Sequence, residues 1–284
     1  MLGSVIRRGK CGLFTGLIGF LCLPGCKGEL VTWSLQLKPG DTRTVIETLN
    51  ETLQNGDAPA SPMKSEFTAK LSVLEFDPVQ GATIEVTFRD LKRDSSMLGF
   101  EVRDRAIRGK KYTVLLSPDG KVQSVKGLDV IRQAVEAEFK KTDEIPEERR
   151  DGLLALNLGG LTDGSIKKDF ETAALIPPKP TNIGGSWSTN GVEDQDGSTI
   201  TDTTWTIEKV ENGDATVSFE ATIRSATSNP EHQVKGTDSG TVVVSTATGL
   251  VKKRESTKEM ETVYGGDRRM RTTVDQVTEV YEIE

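Results

Sequence analysis

Residues 81–89 read Gly81-Ala82-Thr83-Ile84-Glu85-Val86-Thr87-Phe88-Arg89. Ala82, Ile84, Val86 and Phe88 are apolar; Thr83, Glu85, Thr87 and Arg89 between them are polar. A strict period of two predicts a β-strand with one face in a core and one toward water. Strands wetted on one face belong to antiparallel sheets. The turn before it, Asp77-Pro78-Val79-Gln80-Gly81, leads back to a second alternating face of Phe67, Ala69, Leu71 and Val73. Beyond it, Tyr112, Val114 and Leu116 run into Ser117-Pro118-Asp119-Gly120, a hairpin signal. Upstream, Val31, Trp33, Leu35 and Leu37 alternate with Thr32, Ser34 and Gln36, a half-buried strand. Lys38-Pro39-Gly40-Asp41 ends it in a turn, with Pro presetting φ and Gly supplying a positive one.

The period changes after Gly127. Leu128, Ile131, Val135 and Phe139 lie on one stripe of a helix, with Arg132, Glu136 and Lys140 off it. Pro146-Glu147-Glu148 reads as a second helix start, acids being favoured at the positive end of the dipole. Ile166 to Ala174 reads as a third short helix, stopped by Pro177-Pro178-Lys179-Pro180.

Alternation then returns. Trp205 and Ile207 run into the tight-turn dipeptide Asn212-Gly213, and Ala215, Val217, Phe219, Ala221 and Ile223 share the next face. Gly213 to Val217 parallels Gly81 to Glu85, and Ser245 to Gly249 parallels Ser117 to Gly120. Gly184-Gly185-Ser186-Trp187 answers Pro39-Gly40-Asp41. These pairs follow one another in the same order, about 130 residues apart, which points to an internal duplication. In the last strand, Met270, Thr272 and Val274 share one parity and Val277, Tyr281 and Ile283 the other. A β-bulge around Asp275-Gln276 is therefore expected. The Gly265-Gly266 turn should pair this strand with Lys252 to Tyr264.

The first ten residues carry Arg7, Arg8 and Lys10 and no acid, and Cys11 to Leu23 is an uncharged, mostly apolar run. A membrane-spanning helix needs roughly 20 such residues, so the run suits the hydrophobic region of a signal peptide. It ends in Leu23-Pro24-Gly25-Cys26, which resembles the lipobox of bacterial lipoproteins, with Pro24 in place of the more usual Ala or Ser. That resemblance implies cleavage between Gly25 and Cys26 and a thioether-linked diacylglyceryl group on Cys26. All three cysteines lie at positions 11, 22 and 26, so a mature chain would hold one Cys and no internal disulfide. Two acyl chains are enough for a stable anchor. Lys27 stands where an Asp would resemble an inner-membrane retention signal, which favours the outer membrane. Loss of Arg7, Arg8 and Lys10 takes the net charge from −7 to −10. An acidic body of that kind argues against nucleic-acid binding and leaves membrane contact to the anchor.

Taken together, the lipobox, the Lys38-Pro39-Gly40-Asp41 turn, the Gly81-Ala82-Thr83-Ile84 strand and the hairpin from Ser117 to Val122 resemble an uncharacterised family of bacterial envelope lipoproteins. Pro177 to Pro180 and Gly184 to Trp187 resemble that family's mid-chain signature. The resemblance covers most of residues 30–284 but rests on turns and strand ends. The family is a domain of unknown function, so it implies no catalytic residue. In architecture alone the chain is loosely similar to half-barrel lipoprotein carriers, where a curved antiparallel sheet wraps a helical plug.

Motifs of chemistry are sparse. Asp238-Ser239-Gly240-Thr241 matches the core of the aspartic-protease motif, but that chemistry needs two such carboxylates after apolar strands. A turn leading into a strand at Val242 is expected instead. Asp194-Gln195-Asp196-Gly197-Ser198 opens like a calcium loop, yet the twelfth position is Trp205 rather than Glu, so a polar hairpin tip is expected. His232, the one histidine, follows Asn229-Pro230-Glu231 and reads as a solvated loop residue. A carboxylate pair of the glycoside-hydrolase kind is recognised only by its separation in space.

The expected fold is α+β and mostly antiparallel β. A signal peptide (1–25) precedes a first β module (26–127), a helical insert (128–176) and a second, related β module (177–284). The expected role is non-enzymatic: binding or structure at the bacterial envelope, with no cofactor and no metal. The partners are the membrane, through Cys26, and an apolar ligand or an envelope protein. One alternative is a carrier of a lipid in a half-barrel cavity; another is a carboxylate-based hydrolase of envelope polymers.

Overall fold

A computed structural model of the chain describes residues 30–93, 98–171, 173–192, 199–226, 232–265 and 268–282. Residues 1–29, with Gly25 and Cys26 among them, lie outside the described residues, as does the Asp194 to Ser198 segment. The first run of strands is β1 (Leu30–Val31), β2 (Thr42–Asn55), β3 (Ser61–Asp77), β4 (Gly81–Arg93), β5 (Lys111–Leu116) and β6 (Val122–Lys126). Helix α1 (Leu98–Ile107) interrupts it between β4 and β5. Helices α2 (Leu128–Lys141), α3 (Glu147–Gly159) and α4 (Asp163–Glu171) follow. The second run begins with β7 (Thr181–Asn182), β8 (Ser186–Val192), β9 (Thr199–Glu211) and β10 (Asp214–Ser225). It ends with β11 (His232–Ser245), β12 (Val251–Tyr264) and β13 (Arg268–Glu282).

All strands but β1 and β7 lie in one antiparallel sheet of eleven, ordered β6-β5-β4-β3-β2-β13-β12-β11-β10-β9-β8. The fold is thus α+β and mainly antiparallel β, the class read from the alternation. The strands of both expected modules share this sheet. Neighbours in it are neighbours in sequence, except at the seam where β13 pairs with β2 from Met270↔Asn55 to Glu282↔Arg43. Strands β6 and β8 stand at the edges, and the chain between them carries α2, α3 and α4. The paired turns share backbone geometry: Gly81 and Gly213, and Gly120 and Gly249, all have positive φ.

Several local expectations need correction. Trp33, Leu35 and Leu37 are buried and alternate with exposed neighbours, but the ladder with β7 covers only Leu30 and Val31. Alternation here records packing against the body rather than strand pairing. Strand β13 keeps one register with both β12 and β2 through Asp275 and Gln276, so the expected bulge is absent. Val274 and Val277 lie on opposite faces, both half-buried. A central strand half-covered on each face accepts apolar residues at either parity. The β12–β13 hairpin forms as expected, with Tyr264 opposite Arg268. Asp238 to Thr241 is the middle of β11, not a turn, and His232 is the first residue of that strand rather than part of a loop. The third insert helix begins earlier than expected, at Asp163. Helix α1 had no clear apolar stripe to announce it.

Two clusters of buried side chains hold the fold. In the first, Leu128, Ile131, Val135 and Phe139 of α2 are at most 5% exposed and pack with Ile84, Val86 and Val114 of the sheet. Asp129 in the first turn and Lys140 and Lys141 in the last complement the dipole of α2. The second cluster gathers Trp33, Trp187, Ile207, Val217, Val242 and Val244, and Ile176 packs against both. The segments leading into β2 and β8 cross over the sheet and clasp each other. Trp33 Nε1 donates to the Leu175 carbonyl at 2.5 Å, and Leu175 N donates to the Gly249 carbonyl at 3.2 Å.

Candidate functional site: a pocket on one face of the sheet

Inward residues of β2, β3, β4, β5, β12 and β13 face a cavity of about 320 Å³, closed on another side by Leu161 and by Ile166 and Phe170 of α4. The α2 stripe is not part of this lining and packs in the core. Every second residue along each strand delivers the lining: Arg43, Val45, Glu47 and Leu49 from β2, and Phe67, Ala69, Leu71 and Val73 from β3.

The wall is apolar at one end. Phe67 meets Phe88 edge-on at 5.7 Å between centroids, Phe88 lies 5.5 Å from Tyr112, and Tyr112 meets Phe170 at 6.5 Å. This line of rings runs from β3 across β4 and β5 to α4, at separations favoured for aromatic pairs.

Across the seam the wall turns polar. Arg254 on β12 lies opposite Thr278 on β13, and Thr278 lies opposite Glu47 on β2. Gln276 Nε2 donates to Glu47 Oε1 at 2.5 Å. Burial pushes the Glu47 carboxyl above its ordinary value, against the smaller opposing effects of the Gln276 hydrogen bond and the Arg254 charge. Arg254 is 8% exposed, donates through Nη2 to Asp238 Oδ2 at 3.1 Å and lies 4.7 Å above the Phe219 ring. The carboxylate of the protease-like Asp238 motif is thus an ion-pair partner inside the sheet. Arg43, 5% exposed, also lines the pocket. Arg93 and Arg103 stand at a further edge, within 3.5 and 3.0 Å of Asp104 and both over the Phe100 ring. Burial holds Asp104 above its ordinary range despite both guanidinium groups.

Sequence reading left this site unmarked, because β2 lies in a stretch of Thr, Glu and Asn with little apolar contrast. The available signal was Arg43 and Glu47 sharing parity with Val45 and Leu49, charge placed among inward positions. Among the described residues, no group of three His, Cys, Asp or Glu side chains is placed to hold a metal ion. No helix among them is long and apolar enough to cross a membrane.

The model of a family of unknown function, DUF6263, matches residues 79–251, from the turn before β4 to the start of β12. The chain belongs to this family. The match takes in most of the apolar wall and leaves β2, β3 and β13 outside it. No curated protein matches the chain. Among solved structures, the chain is similar to lipovitellin at 9% identity and a TM-score of 0.43, over 88% of this chain and 26% of that one. The chain thus spans about a quarter of the lipovitellin chain. A putative exported protein with a YmcC-like fold from Bacteroides fragilis aligns at 9% identity and a TM-score of 0.27, over 87% of this chain and 98% of its own. DynF of the dynemicin biosynthesis pathway of Micromonospora chersina aligns at 8% identity and a TM-score of 0.24, over 94% and 93% of the two chains.

Proposed function

We propose that this protein is a non-enzymatic binding protein of the bacterial cell envelope, tethered through lipid on Cys26, that takes an apolar molecule into the pocket beneath its sheet. The observation that carries the reading is the cavity of about 320 Å³ walled by Phe67, Phe88, Tyr112 and Phe170. Pockets that bury small ligands start at about 300 Å³ and are lined mainly by apolar and aromatic side chains with a few placed polar groups. A carboxylate hydrolase draws less support. Asp41 and Glu47, the acids on the wall among the described residues, stand six residues apart on extended chain, about 20 Å by strand rise. Paired glycosidase carboxylates lie about 5–10 Å apart.

Native mass spectrometry of the protein purified from its own membranes tests the pocket. Bound lipid-sized mass, lost when Ala69→Trp fills the floor, is expected; an unladen protein that also takes up no added lipid would overturn the reading. The tether has a separate test. Metabolic labelling with a lipid precursor should mark the wild type and not Cys26→Ala, and equal labelling of both would remove the anchor.

A further inference from the structure

We infer that the pocket selects an uncharged lipid, of the fatty-alcohol or hydrocarbon kind, and turns away acids and amines that carry the same chain. This rests on the reading of the pocket as an apolar-ligand site and adds the charge class of the ligand to it.

The charged groups on the wall carry the inference, because the protein already engages each of them. They are Asp41, Arg43, Glu47, Arg93, Arg103 and Arg254. Arg254 gives Nη2 to Asp238 Oδ2 at 3.1 Å, and its guanidinium lies over the Phe219 ring. Arg93 and Arg103 share Asp104, and both lie over Phe100. Arg43 is engaged within the protein as well. On the acidic side, Asp41 Oδ2 accepts from the Lys38 amide at 3.2 Å, and Glu47 Oε1 accepts from Gln276 Nε2. The same Nε2 also donates to Thr278 Oγ1 at 3.3 Å, which uses both amide hydrogens.

A charged head group would therefore compete with bonds that the fold already makes. An anion at Arg254 would crowd a second negative charge against Asp238, whose side chain is 16% exposed, or displace it and strand that carboxylate inside the sheet. An ammonium group at Glu47 would come up against Arg254, whose charge already reaches that carboxyl. Elsewhere the wall offers a head group side chains such as Ala69, Leu71, Val86 and Ile166, where an unpaired ion keeps its full desolvation cost. An uncharged chain incurs neither cost. It keeps the whole gain of burial against the rings of Phe67, Phe88, Tyr112 and Phe170.

Calorimetry on the full chain, between about pH 6 and pH 8, would compare decanol, decanoic acid and decylamine, which share a tail and differ in charge. The alcohol should bind throughout, and its profile is the reference for any titration of the wall itself. Relative to it, the affinity of the acid should fall about tenfold for each pH unit, as for a ligand that enters only in its protonated form above a pKa of about 4–5. The affinity of the amine should rise by the same factor. An alcohol carrying a diazirine in its tail should label β3, β4 or β5, a readout that needs no variant. An acid or an amine that matches the alcohol, or an acid-to-alcohol ratio that does not change with pH, would overturn this inference and leave the apolar-ligand reading standing. Binding of none of the three, or labelling confined to β8, β9 and β10, would remove that reading as well.

Discussion

Trp33 gives its indole N–H to the main-chain carbonyl of Leu175, 142 positions away, and both residues are buried. This bond ties the segment that enters β2 to the segment that enters β8. Trp33→Ala removes the ring and leaves a cavity, so a loss of about 3–5 kcal/mol is expected in urea denaturation. Trp33→Phe keeps most of the packing and drops the donor, leaving the buried carbonyl without it. Its expected cost is smaller, about 1–3 kcal/mol. Equal losses for both would show that the ring contributes nothing beyond its hydrogen bond, and an unchanged Trp33→Phe that the bond contributes nothing beyond the ring.

Ile131 and Val130 are adjacent on α2, but the first is 0% exposed and the second 58%. Ile131→Ala should cost about 2–5 kcal/mol, whereas Val130→Ala should stay within about 0.5 kcal/mol. Thermal melts of the two variants check this directly.

Gly81 opens β4 at φ 103°, and a Cβ there would sit 1.8 Å from the Leu116 carbonyl oxygen of β5. Gly81→Ala therefore meets both a strained backbone and a main-chain clash. It should cost more than the roughly 1–3 kcal/mol of a strained position alone, and hydrogen exchange along β5 should quicken. Gly56, at φ 56° with open space around it, is the control. Gly56→Asn should lie within about 1 kcal/mol of wild type, since Asn tolerates the left-handed region.

Glu47 titrates higher in the folded chain than the 4.5 of an ordinary glutamate. For an acid shifted upward, the folded state favours the protonated form. Stability linked to Glu47 is therefore greatest in acid and falls as pH rises from the unfolded value to the folded one. Glu47→Gln imitates the protonated form. Its stability relative to wild type should rise over that window and stay level above it. A difference that is flat from pH 4 to pH 8 would contradict the shift.

How much of this was legible in the sequence follows from contrast. Leu128, Ile131, Val135 and Phe139 form one dry stripe against a wet one, and β4 has one clean apolar parity, so both were readable. Strand β2 was not, because a strand at the centre of a wide sheet is half-covered on both faces. Its Thr, Glu and Leu residues satisfy that environment without declaring a side. Val277 in β13 misled for the same reason. The pocket could not be read at all from any one segment. Its lining comes from six strands, α1 and the helical insert, and the juxtaposition of Arg254, Thr278 and Glu47 depends on strands nearly the whole chain apart.

That seam between β2 and β13 has a consequence in time. Synthesis delivers β2 long before β13, and pairing across so long a separation carries the largest loop-closure entropy in the sheet. Each run of strands can zip its own hairpins without the other. The wall of the pocket cannot close until β13 arrives, so a chain cut before β13 lacks Gln276, Thr278 and Val280 and with them one side of the cavity.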